Sequence, residues 1–171
     1  NVQSSQNITD KSNDANTYDA NQFNEIRKGV RHGIDVKQYA NIYMNADQMK
    51  ELKLGLEHGI DVSNYNNYLI NATQMKEIRL GHDHGVGLKL DELKHLDYTA
   101  EQTREIRLGL EENLVVSKYI DPKFNAGQMK EIRLGLRSGL DVTDYATLNF
   151  SVAQMKSLRY ELTIKHIVEK I

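Results

Sequence analysis

Glutamine recurs at Gln22, Gln48, Gln74, Gln102, Gln128 and Gln154, with spacings of 26, 26, 28, 26 and 26 residues. Around it the chain respells one phrase, NADQMKELKLGLEHGIDVSNY at 45–65 and NAGQMKEIRLGLRSGLDVTDY at 125–145. A repeat this short restricts the fold severely. One unit cannot bury its own apolar face, so the copies must stack on one another.

Each copy carries a helix start signal. Asp19, Asn45, Asn71, Thr99, Asn125 and Ser151 precede the glutamines by three residues, and all are good N-caps. The glutamine then sits at the third helical position, where its amide reaches back to the cap as a capping box. Apolar residues before the caps (Tyr18, Met44, Ile70, Tyr98, Phe124, Phe150) face the fourth position, which is Phe23, Met49, Met75, Met129 and Met155 in five copies and Thr103 in the other. That arrangement is a hydrophobic staple. Gly33, Gly59, Gly85 and Gly139, with Asn113 in the fourth copy, stand where a left-handed residue ends the helix.

Asp35, Asp61 and Asp141 read as caps of a second, shorter helix that places Tyr39, Tyr65 and Tyr145 one turn inside. The unit is therefore expected to be an αα-hairpin. The fold class follows as all-α, an α-solenoid of six stacked hairpin repeats over 18–43, 44–69, 70–97, 98–123, 124–149 and 150–171. The last copy lacks a stop glycine and reads as a longer capping helix. Residues 1–17 lack apolar periodicity and read as a flexible leader. The column Leu52, Ile78, Ile106, Ile132 and Leu158 is expected in the core. A leucine column (Leu54, Leu80, Leu108, Leu134) is expected to face the preceding copy, because Lys28 replaces it in the first. A glycine column (Gly29, Gly55, Gly81, Gly109, Gly135) is expected to face the following copy, because Glu161 replaces it in the last. The third copy is irregular. Gly87 stands at the aspartate position, two residues are added, and LDELKHL reads as a longer second helix or a contact loop.

The formal charge of −2 hides an uneven distribution. The fifth, eighth and twelfth helical positions hold 13 of the 22 basic and 3 of the 24 acidic residues, so these columns carry +10 and the remaining chain −12. One reading is a solvated helix face neutralised by neighbouring glutamates. The other is an electropositive stripe for an acidic protein or a phosphate backbone, with Lys53, Arg79, Arg104, Arg107, Lys130 and Arg133 as the partner-binding residues. Cations spaced by stacked helices at about 10 Å make a ladder without base readout, so nucleic-acid binding would be salt-sensitive and non-specific. Leu90, Leu93, Lys94 and His95 of the irregular copy form the secondary candidate surface.

The repeat phrase resembles arrays of about 26-residue αα-hairpin repeats in uncharacterised bacterial, phage and mobile-element proteins. The likeness spans 18–171 and is weakest at 86–97. The resemblance implies a stacked helical array in the cytoplasm of a bacterial host, and a mobile-element inhibitor of a host defence complex as one function. It brings no catalytic residue with it.

Other constellations have simpler explanations. His32, His58 and His84 recur in last helical turns, where the helix dipole favours them, and their spacing by whole repeats is too wide for one metal ion. The tyrosine and methionine columns read as core. No nucleophile–base ordering, phosphate loop or paired-carboxylate motif stands out, so neither an enzyme nor a cofactor is expected. No apolar run is long enough to cross a membrane. The expected protein is a monomeric, non-enzymatic binding module whose partner is another protein, with nucleic acid or a phosphorylated ligand as the alternative.

Overall fold

The computed structural model describes residues 17–93 and 95–171, so the leader lies, except for Thr17, outside the described residues. Seven α-helices and no strand occur among them. Six start the repeats: α1 (Ala20–Arg31), α2 (Ala46–Glu57), α3 (Ala72–Asp83), α5 (Ala100–Glu111), α6 (Ala126–Arg137) and α7 (Val152–Val168). The five-residue α4 (Gly87–Asp91) belongs to the third copy. The repeat helices pack in chain order, α1 on α2, α2 on α3, α3 on α5, α5 on α6 and α6 on α7.

The start signals form as expected. Every cap side chain accepts from the glutamine N–H, and five of the six copies close the capping box; Asn71 and Gln74 do not. Five helices end at a residue of positive φ, four glycines between 72° and 80° and Asn113 at 55°. The next N–H then reaches back to the tenth-position carbonyl, as Ile60 does to Gly55 at 2.9 Å.

The second helix is shorter than expected. It is a single 3-10 turn at Val36–Gln38, Val62–Asn64 and Val116–Lys118, and only a turn in the fifth copy. An aspartate cap followed by three residues closes one turn, and the tyrosine then leaves the turn for the core. Tyr39, Tyr65, Tyr119 and Tyr145 are fully buried, and burial pushes the phenols of Tyr39 and Tyr145 up to about 12.

These tyrosines also account for the glycine column. A Cβ on Gly109 would lie 1.8 Å from the Tyr119 hydroxyl, and Gly135 has the same relation to Tyr145. The close approach is within the repeat and not towards the following copy as expected. In the third copy Leu90 fills the tyrosine's place under Gly81. The last copy needs no glycine because α7 continues where a connector would fold back.

Two apolar cores result. One gathers Tyr39 to Ile78, the other Leu90 to Met155, and they meet at the third copy. Leu52, Ile78, Ile106 and Ile132 are fully buried, while Leu158 at the open end is half-buried. In the irregular segment the helix starts at Gly87 and stops at Asp91, and a separate 3-10 turn covers His95–Asp97. The expected longer helix over LDELKHL is broken.

Candidate binding surfaces and the ion-pair ladder

All six repeat helices run parallel. Gln48 at the start of α2 donates to Tyr68 O and Ile70 O just before α3, and His32 after α1 meets Glu57 at the end of α2. N-termini therefore line one edge of the stack and C-termini the other.

Between helices lies a ladder of ion pairs. The eighth-position cation of each copy reaches the sixth-position glutamate of the copy before it. Arg79 meets Glu51 at 2.9 Å, Arg107 meets Glu77 at 2.8 Å, and Arg133 meets Glu105 at 2.8 Å. Arg159 meets Glu131 at 2.8 Å, and Lys53 reaches Glu25 at 3.8 Å. The twelfth-position acids brace these cations one turn away: Glu57 takes Lys53, Asp83 takes Arg79 and Glu111 takes Arg107. From the preceding copy, His32, His58 and His84 add ring nitrogens at 2.7, 2.7 and 2.8 Å to the same three acids. The hydrogen bond from His32 and the nearby Lys53 hold the Glu57 carboxyl below its ordinary range. Burial would raise Glu111, but hydrogen bonds from Arg107 and His84 outweigh it and the net shift is downward.

Four of the six expected partner-binding residues are thereby removed from the surface. Lys53, Arg79, Arg107 and Arg133 are 5–8% exposed and held inside the stack. The physical reason is angular. The eighth position lies about 60° from the fifth, and that turn takes it from the outer arc onto the neighbouring helix. Arg104 and Lys130 are exposed, as are Lys50, Lys76 and Lys156 of the same fifth-position column. No carboxylate lies within ion-pair distance of these five among the described residues.

The leucine column is displaced in the same sense. Leu54, Leu80, Leu108 and Leu134 are half-buried and lie about 40° from the fifth-position cations, on the outer side and not against the preceding copy. An open groove lined by the second, fifth and ninth positions of α1 (Asn21, Asn24, Lys28) and the second and fifth of α2 (Asp47, Lys50) marks this arc as outward-facing. Cations and half-exposed leucines thus run side by side across the stack.

The secondary candidates are largely structural. Leu90 is fully buried, Leu93 packs against the same core, and His95 is buried with neither ring nitrogen partnered. Burial lowers the His95 pKa. Lys94 lies outside the described residues. Leu88 and Leu96 of this segment are exposed instead. Lys50, Lys76 and Lys156, outside the expected set, share this exposed fifth-position column. A signal that separates the columns is the sixth-position glutamate, present from Glu25 to Glu131 as one member for each eighth-position cation of the copy after it, with Ser157 in the last copy.

Among the described residues no group of three or more His, Cys, Asp or Glu side chains is arranged to hold a metal ion, and no helix is long and apolar enough to cross a membrane. Comparison with family models, curated proteins and solved structures finds no match for this chain.

Proposed function

We propose that the protein is a non-catalytic binding module that recognises another protein through the outer arc of its stacked helices. The observation that carries this reading is the pairing of five exposed, unpaired cations (Lys50, Lys76, Arg104, Lys130, Lys156) with the half-buried leucines Leu54, Leu80, Leu108 and Leu134. Folding has no evident use for an unpaired cation repeated at every rung, whereas the eighth-position column is consumed by the ladder. Apolar side chains beside cations suit an acidic protein surface with apolar residues of its own. A phosphate backbone would use the cations and leave the leucines idle. The host defence complex that the repeat resemblance implies is a partner of the favoured class.

The test is the triple variant K76E/R104E/K130E. It should keep its helical content and unfold within about 0.5 kcal/mol per site of the parent. Capture of the partner should weaken at least tenfold, about 1.4 kcal/mol, and the captured complex should survive nuclease. Unchanged capture by a folded triple variant refutes the reading. Capture lost on nuclease treatment transfers the surface to nucleic acid.

A further inference from the structure

The open face of α1 repeats, in every chemical detail but one, a face that the rest of the stack covers. In the other five repeat helices the fourth position is fully buried against the preceding helix, as Met49, Met75, Thr103, Met129 and Met155. The eighth-position cation there meets a glutamate of that helix. In α1 the equivalent residues are Phe23, 49% exposed, and Arg27, which has no carboxylate in reach among the described residues. Val30 beside them is 63% exposed. An open groove of about 530 Å³ lies along Asn24, Ile26, Arg27, Val30 and Arg31. The face has kept the apolar and cationic side chains that a covering helix would use.

The twelfth position supplies the chemistry that a covering helix would need. It is acidic in α2, α3 and α5, where it neutralises the eighth-position cation of its own helix. In α1 it is Arg31, so α1 presents two arginines one turn apart. Only α6 shares that pattern, with Arg133 and Arg137, and there the preceding helix answers with two carboxylates. Glu105 takes Arg133 at 2.8 Å, and Glu112 takes both Arg133 at 3.2 Å and Arg137 at 3.6 Å. Glu105 and Glu112 are seven residues apart, two turns along one side of α5 and its cap.

We infer that the α1 face docks an amphipathic helix of a partner protein that carries two carboxylates seven residues apart beside an apolar stripe. The carboxylates pair with Arg27 and Arg31, and the apolar stripe covers Phe23, Ile26 and Val30. A second copy of this chain stacked end to end does not meet the requirement. The covering helix would be α7, and its sixth position is Ser157, which offers no charge to Arg27. This surface is separate from the outer cation column, so the two proposals stand or fall independently.

The test uses the full chain and, as probe, a helix-stabilised fluorescent peptide with the sequence of residues 98–114. That peptide presents Glu105 and Glu112 in the geometry that α6 receives. Anisotropy should show saturable binding, and R27E/R31E should weaken it at least tenfold while the chain stays folded. A peptide with both glutamates changed to lysine should bind R27E/R31E better than it binds the parent. That charge-swap rescue separates docking from misfolding. Equal binding to parent and R27E/R31E, or no binding up to about 1 mM peptide, overturns the inference. So does binding that appears only after removal of residues 1–16, or concentration-dependent self-association abolished by R27E, since either would identify a different occupant.

Discussion

A single glutamine does three jobs in a regular repeat, as Gln22, Gln48 and Gln102 do, and this explains why glutamate does not replace it. Gln102 accepts from the Thr99 N–H with its oxygen, and its nitrogen donates to Pro122 O at 2.9 Å and Phe124 O at 2.6 Å in the connector that leads to α6. Glutamate serves the capping box equally well, but it has no N–H for the two carbonyls. Gln102→Glu should therefore cost about 1–3 kcal/mol, because buried acceptors lose their donor and a charge is placed against them. Gln154→Glu is the control. It is exposed and its amide donates to no connector carbonyl among the described residues, so its cost should be near zero. Denaturant unfolding of both variants checks this, and equal costs would remove the bridging role. Gln74 shows the same logic where the repeat is irregular. Its amide turns to His95 O and Tyr98 O, and the capping box in that copy stays open.

At the scale of the helix, sequence neighbours are held by charge as much as by apolar contact. Arg107 is buried and touches Glu77 of α3 and Glu111 of its own helix. Burial lowers its pKa, but the hydrogen bonds it donates to both carboxylates raise it above the ordinary value on balance. Replacing such a pair with apolar residues can be neutral, yet removing one partner strands a buried charge. Arg107→Gln should thus cost about 3–5 kcal/mol, whereas Arg104→Gln, three residues earlier on the exposed column, should stay within about 0.5 kcal/mol. Thermal or denaturant unfolding distinguishes the two, and a small cost for Arg107→Gln would show the ladder to be incidental. The weakest rung is the one with lysine, where Glu25 Oε2 lacks a hydrogen-bond partner. A point charge on a flexible stem fills that space less completely than a planar guanidinium.

Across the whole molecule the stack has a joint at its third copy. The two apolar cores meet there, Thr103 takes the place that methionine fills in α2, α3, α6 and α7, and Gln74 reaches its hydroxyl at 3.3 Å. His95 is buried at this joint, and neither ring nitrogen has a hydrogen-bond partner among the described residues. Burial lowers its pKa below 6.5; Asp91 opposes that shift and His82 adds to it. A base whose folded pKa is lowered contributes its full stability above the unfolded value, near pH 6.5, and loses it as pH falls. Hydrogen exchange at pH 5.5 should therefore show amides of α4 and the start of α5 losing protection before those of α2 and α6. His95→Met should abolish that difference. Uniform loss of protection along the stack, or an unchanged pattern in His95→Met, would place the acid sensitivity elsewhere.

The repeat, the caps, the left-handed helix ends and the all-α class were legible in the sequence because each depends on residues within one turn of each other. Backbone hydrogen bonding near Asn45, Gln48 and Gly59 is decided locally, and six copies averaged away the noise. The buried aliphatic column was legible for the same reason, since its period is that of one helix. What remained hidden was which side of each helix met a neighbour. Arg79 and Arg104 look alike in sequence, as cations on one broad arc. Only the placement of each helix against the one before it buries the first against Glu51 and leaves the second in solvent. The glycine column was misassigned for a related reason. Its contact, Tyr119 over Gly109, depends on a connector folding back after a single turn, and that path is set by packing. Helical periodicity fixes the angle between residues on one helix, but the angle between helices is chosen by tertiary contacts, and that angle decides which charges bind the stack and which are left in solvent.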